Sequence, residues 1–403
     1  MRSLAALAAL GTALVAGCDH VPKDALRSCN AEVRVLPART DILVVVDDSG
    51  SMTEEQQNLR ENLASFVTAL AASPVPHDFQ IGVTTTDVLD FDGRTTTYPT
   101  DVPPYAGLGY PIPYPKGALV AVDPGARTDP ALVGKILYDP ATGFGGPRIL
   151  PTGSPTLVQD FEANVLLGVE GSGKEQPFHA VELALTDRIA DGTNAGFLRD
   201  GARLGVVILT DEDDCSESTL PLAGYSNPRC HDPTVKAERL WQVSAFADFL
   251  DGPIAGEARA PVLAVIAGFD PSTLAPTGCA TSYDTPDRLA ELLDLLGPDR
   301  TLRASVCDPS FGPALQRVAD LLVPQTVPLD GAPPDWHMLV AAVHRADGTA
   351  QACPVAGEGD PSASAAGAVY GPPRSGRPPT LTFQGSCRLH GGDSVSLGVI
   401  CAG

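Results

Sequence analysis

Apolar residues in this chain follow two alternating patterns. Ile42–Val46 (ILVVV), Leu204–Leu209 (LGVVIL) and Val262–Ala267 (VLAVIA) are apolar throughout. Such β-branched runs suit strands covered on both faces. Phe79, Ile81 and Val83 alternate with polar residues as a second strand, and Leu302–Val306 reads as a short one. Between these runs the apolar positions recur at helical spacing. Leu59, Leu63, Phe66, Val67 and Leu70 share one face, as do Phe178, Val181, Leu185 and Ile189 behind Pro177. Further helices are predicted over Asp160–Leu167, Thr234–Leu250, Asp287–Leu296 and Gly312–Leu322. Thr53 and Gln56 have the spacing of a capping box before the first helix. Strands alternating with helices predict an open, doubly wound, mostly parallel α/β sheet.

Two regions break the alternation. Residues 88–159 are rich in Gly, Pro, Thr and Tyr and predict a folded insertion or binding lid. From about 325 helical periodicity disappears. Met338–Val343, Leu381–Phe383 and Val395–Val399 are β-like, so 325–403 reads as a small β-rich module.

The buried run Ile42–Val46 stops at Asp47, where Asp47, Ser49 and Ser51 alternate in the following loop. Leu204–Leu209 likewise ends in Thr210 and Asp211. Oxygen donors at the carboxyl ends of strands suit a hard divalent cation. The plainer alternative is loop hydrogen bonding and helix capping without metal. The Asp47-x-Ser49-x-Ser51 motif resembles the metal-ion-dependent adhesion site of von Willebrand factor type A domains, and Leu209-Thr210-Asp211 is similar to that family's second strand end. The resemblance covers roughly 36–324. It implies a VWA/Rossmann-like fold with Asp47 and Asp211 on neighbouring strands around Mg2+ (or Mn2+ or Ca2+). It also implies a protein partner whose own Asp or Glu completes the metal shell. The family places a threonine before the helix at Pro177; this chain has Gly-Ser-Gly-Lys-Glu-Gln instead, leaving Ser172 or Glu175 for that role. A third carboxylate would make the metal less receptive to a partner's acid. Asp213 and Asp214 are expected in a solvated turn, and Asp48 is expected to face solvent or cap a loop.

Composition narrows the class. A net charge of −22 argues against nucleic-acid binding. Residues 1–18 have the form of a targeting segment: Arg2, an apolar stretch from Leu4 to Ala16, then Gly17 and Cys18. That ending resembles a bacterial lipobox, implying lipidation of Cys18 and an exported, membrane-tethered protein at the cell envelope. The other eight cysteines imply disulfides. Proximity suggests Cys215–Cys230 and Cys279–Cys307, with Cys29, Cys353, Cys387 and Cys401 unassigned. Gly168-x4-Gly173-Lys174 approaches a phosphate-binding loop, but Glu175 stands where Ser or Thr must hold magnesium, so a nucleotide hydrolase is the poorest reading. The whole resembles lipid-anchored, disulfide-bearing von Willebrand A-type proteins of Gram-negative bacteria. That implies a non-enzymatic module for adhesion or envelope assembly, or alternatively a scaffold in which a metal only locks the loops.

Overall fold

A computed structural model describes residues 26–28, 33–89, 95–101, 106, 111–121, 146–217, 230, 232–374 and 376–402. The targeting segment with Cys18, and Cys29, lie outside these residues. After a short strand β1 (Leu26–Ser28), the chain runs through β2 (Ala38–Val46), α1 (Thr53–Ala71), β3 (His77–Thr85) and β4 (Ile149–Pro151). It continues through α2 (Leu157–Asn164), α3 (Pro177–Leu185), α4 (Asp187–Ala190), β5 (Arg203–Leu209), α5 (Pro233–Glu238) and α6 (Val243–Asp251). A minor hairpin, β6 (Pro253–Ile254) and β7 (Glu257–Ala258), precedes β8 (Val262–Ala267), α7 (Asp287–Leu296), β9 (Thr301–Ser305) and α8 (Gly312–Leu322).

The central sheet has the order β4-β3-β2-β5-β8-β9 and is parallel except for β4. Successive residues of β2 point to opposite faces, as the pleat requires. Ile42, Val44 and Val46 pack with Leu59, Leu63 and Phe66 of α1 and Leu315 and Val318 of α8. Leu43 and Val45 pack on the other face with Phe178 of α3, Phe246 of α6 and Leu289 of α7. Chain order reverses between β2 and β5, and the register sets Val46 beside both Thr85 and Leu209. Three strands therefore end level at the switch point, where doubly wound sheets build their sites.

Two local expectations are corrected. The helix predicted over Thr234–Leu250 is two helices, because Leu240 bridges to Glu217 and the Trp241 amide donates to Ser216 O (2.8 Å). The capping box does not form: Met52 caps α1 without a side-chain bond, and Gln56 turns inward. The insertion is partly core: Tyr98, Ile112, Tyr114 and Val120 join the α1-side cluster, and β4 supplies an edge strand in register with β3.

The chain beyond Leu322 adds β10 (Thr326–Pro328), β11 (Leu339–His344), β12 (Ala350–Cys353), β13 (Val355–Gly357), β14 (Ala368–Gly371), β15 (Thr380–Phe383) and β16 (Ser394–Ala402). They form two four-stranded sheets, β1-β16-β11-β12 and β10-β15-β14-β13, around Val327, Leu339, Val343, Leu381 and Phe383. β1 thus belongs with the C-terminal strands. The same core takes in Ala38, Val75 and Val323, and Leu36 N donates to Pro328 O (2.8 Å). The module is therefore seated at the amino end of the central strands, opposite the switch point. Disulfides join Cys215 to Cys230, Cys279 to Cys307 and Cys353 to Cys387. Among the described residues no helix is long and apolar enough to cross a membrane.

Candidate functional site

The site grows from the level ends of β2, β3 and β5. Asp47 N continues the ladder to Leu209 O (2.9 Å), and the chain then turns because Asp47 Oδ1 accepts the Ser49 amide (2.8 Å). That local side-chain bond is why Asp-x-Ser breaks a strand so abruptly. Asp47 Oδ2 accepts from Thr210 Oγ1 at 2.6 Å, which ties the two strand ends together. Ser51 Oγ lies 3.3 Å from Ser49 Oγ and donates to Asp211 Oδ1 (3.1 Å) across 160 positions of sequence. Asp47, Ser49, Ser51 and Asp211 therefore do meet.

The third element is the loop before α3. Its start is clamped by Gln56, whose Nε2 donates to Asp47 O (2.9 Å) and Gly168 O (2.8 Å) while Oε1 accepts Gly168 N (3.2 Å). Gly171 N donates to Asp48 O (2.9 Å), and a Cβ at Gly171 would sit 2.6 Å from Asp48 Cγ, so the approach requires glycine. Ser172 is directed away from the Asp47–Asp211 pair. Its amide donates to Asp87 Oδ1 (2.8 Å), its hydroxyl faces Leu89 O (3.4 Å), and that hydroxyl accepts Lys174 N (3.1 Å). Glu175 is fully buried, accepts a short hydrogen bond from Thr86 Oγ1, and feels Asp47 as its strongest neighbouring charge. Of the two candidates for the missing threonine's place, Glu175 is the one set against Asp47.

The electrostatics are those of crowded acids. Burial, then Asp211, pushes the Asp47 carboxyl up to about 7. Burial, then Asp47, Asp211 and Asp284, pushes Glu212 up to about 8. Glu175 is raised well above the usual range by burial and then Asp47, and Asp211 is raised by burial. Asp48 is not at the surface as expected; it is buried, bonded to Tyr98 OH (3.0 Å), and raised by burial and then Asp87. Glu175 Oε1 and Asp211 Oδ2 are buried without a hydrogen-bond partner. Unpartnered carboxyl oxygens crowded among other acids fit a cation better than a closed loop network. Among the described residues no three His, Cys, Asp or Glu side chains converge to hold an ion by themselves. A cation here would therefore be shared among carboxylates, the Ser49 and Ser51 hydroxyls and water, a donor set suited to Mg2+.

The adjoining turn is different in kind. Asp213 and Asp214 are buried, contrary to the solvated turn expected. Asp213 accepts the Arg288 and Leu289 amides at the start of α7. Asp214 forms a buried ion pair with Arg288 (2.9 Å) and accepts Phe178 N and Ser216 Oγ. Lys174 and Glu217 make a second buried pair at 2.9 Å. His179 packs against Trp241, and burial lowers it to about 4.

Sequence reasoning missed Thr86 and Arg288, placed Gln56 in a capping box, and named Thr210 in the strand-end motif without its bond to Asp47. A glutamine in phase with Leu59 and Leu63, and three threonines ending a buried strand, were the available signals: polar groups on faces that should be apolar.

No protein-family model matches the chain, and no curated protein does. Solved structures that align with it are distant. Proximal thread matrix protein 1 from the mussel byssus aligns at 11% identity and TM-score 0.35, covering 82% of this chain and 57% of its own. A von Willebrand factor type A protein from Catenulispora acidiphila aligns at 10% and 0.35, covering 94% and 67%. The pilus adhesin SpaC from Lactobacillus rhamnosus GG aligns at 11% and 0.33, covering 93% and 39%. The chain spans little more than half the length of the mussel protein, and the reading of the site stands on the geometry above.

Proposed function

We propose that this chain is a non-enzymatic protein-binding module of the von Willebrand A type, exported and tethered to the cell envelope through lipidated Cys18. Its binding pole is organised by one divalent cation, Mg2+ before Mn2+ or Ca2+, in adhesion or envelope assembly. What carries the reading is the meeting of Asp47, Ser49, Ser51 and Asp211 at level strand ends, with buried carboxylate oxygens left unpartnered. The cation would supply positive charge to that cluster. Thr210 and the Ser49 amide orient Asp47, Ser51 orients Asp211, and Gln56 fixes the loop that delivers Glu175.

A second reading is favoured by the placement of Glu175. A third carboxylate beside Asp47 lowers the appetite of a bound cation for a partner's acid. The cation would then lock three loops, and the partner would meet the rim around it.

Calorimetric titration of the metal-free chain with Mg2+ and Mn2+ tests the shared core of both readings. Saturable one-to-one binding is expected, weakened at least about tenfold by Asp47→Asn and by Asp211→Asn. No saturable uptake, or uptake indifferent to both substitutions, overturns it.

A further inference from the structure

The rim of the pole indicates the chemistry of the partner. The segment between β8 and α7 is tied down at several points. Cys279 is bonded to Cys307 just past β9, and its amide donates to Ser282 Oγ (2.8 Å). The amides of Tyr283 and Asp284 both donate to the Asp211 carbonyl, at 2.9 and 3.1 Å. Gly268 admits the close return of this loop, since a Cβ there would lie 2.6 Å from Asp284 O. So held, Tyr283 stands beside Asp211 with 76% of its surface exposed, more than any other exposed large hydrophobic residue described. An aromatic ring presented on a stiff loop loses little freedom on binding and makes a good anchor.

The field around that ring has one sign. The charges acting most strongly on Asp47, Glu175, Glu212 and Glu55 are in every case other carboxylates. Glu55, between Asp211 and Thr281, is buried with Oε2 unpartnered. Once ionised, Asp47, Glu55, Glu175, Asp211, Glu212 and Asp284 together carry more charge than one divalent cation offsets. A partner's carboxylate would therefore approach an acidic rim even with the cation bound, whereas a basic group would be drawn in.

We infer that the partner docks here through a basic segment, with an arginine or lysine lying over the Tyr283 ring beside Glu55, Glu212 and Asp284. The inference rests on the proposal that this pole binds protein. It reverses the charge expected of a partner that completes a metal shell with its own acid.

The probe is a hexa-arginine peptide, with hexa-glutamate as its opposite, titrated by fluorescence anisotropy into the full chain with saturating Mg2+. Hexa-arginine should bind and hexa-glutamate should not. Tyr283→Ala should weaken hexa-arginine binding about fourfold, and Tyr283→Phe should keep it. Asp347→Asn, in an exposed turn of the far module, should change it less than about twofold. Wild-type affinity in Tyr283→Ala, or tighter binding of hexa-glutamate, overturns the inference. Tyr283-dependent binding in a chain that takes up no Mg2+ removes the cation reading and leaves this one standing.

Discussion

Within a few residues of one another, the turn after β5 builds two opposite kinds of acid cluster. Asp213 and Asp214 are closed: their oxygens are met by backbone amides, Ser216 and the Arg288 guanidinium. Asp211, with Asp47 and Glu175, is open: its neighbours are acids and hydroxyls, and Asp211 Oδ2 and Glu175 Oε1 find no donor. Burial is nearly the same in both. What differs is whether the chain supplies its own cation. In the closed half the charge serves the fold, while in the open half Asp211 Oδ2 and Glu175 Oε1 are left for a group the chain itself does not bring to them.

The comparison breaks most visibly at Arg288. Removing the guanidinium leaves Asp214 buried and uncompensated, a change that typically costs about 3–5 kcal/mol. Arg288→Met should lower the urea midpoint accordingly, with or without Mg2+. A loss under about 1 kcal/mol would mean that the closed half is not held by its ion pair.

The pH dependence separates the halves. Asp47 and Glu212 keep protons to about 7 and about 8 in the folded chain, against 3.8 and 4.5 ordinarily. The folded state thus binds more protons between those limits, and stability is lost as pH rises through that window. Burial pushes Asp213 up to about 7 as well, so the closed half contributes to the same slope. Saturating Mg2+ should flatten the share of Asp47, Glu175, Asp211 and Glu212, and Asp213→Asn the share of Asp213. Urea midpoints at pH 5 and 8, in EDTA and in Mg2+, give both shares. A metal-free chain that gains stability toward pH 8 contradicts the open half as drawn.

Much of this was legible before any coordinates. The apolar runs that became β2, β5 and β8 have no polar residue to place, so they had to be buried on both faces. The oxygens of Asp47, Ser49, Ser51 and Asp211 follow directly from where those runs stop. The choice between Ser172 and Glu175 was not legible. It depends on Gln56 clamping Gly168 from 112 positions away and on Gly171 lying against Asp48. Nor could Asp213 and Asp214 be told from a solvated turn, because their partner Arg288 lies 74 positions beyond Asp214. The break between α5 and α6 escaped for the same reason: helical spacing records a face, while the interruption at Leu240 comes from its pairing with Glu217. Local pattern dictates strands and their ends, and long-range contacts decide which acids are compensated.

Gln56 offers the finest test, because it touches the open half without carrying charge. Its amide donates to Asp47 O and Gly168 O and accepts from Gly168 N, all in a buried setting. Gln56→Leu keeps the apolar contact with α1's face and strands those groups, at a cost of about 1–2 kcal/mol. Mg2+ affinity should fall several-fold as the loop bearing Glu175 loosens. Gln56→Glu can still accept from Gly168 N but cannot donate to either carbonyl, and it adds one more acid beside Asp47. If geometry alone governs the pole, the two variants should lose Mg2+ affinity equally. If the field matters too, Gln56→Glu should be less stable than Gln56→Leu in EDTA yet recover more on adding Mg2+, since only its defect is one a cation can offset. Equal recovery would show that an added carboxylate here is as indifferent to the cation as those of the closed half.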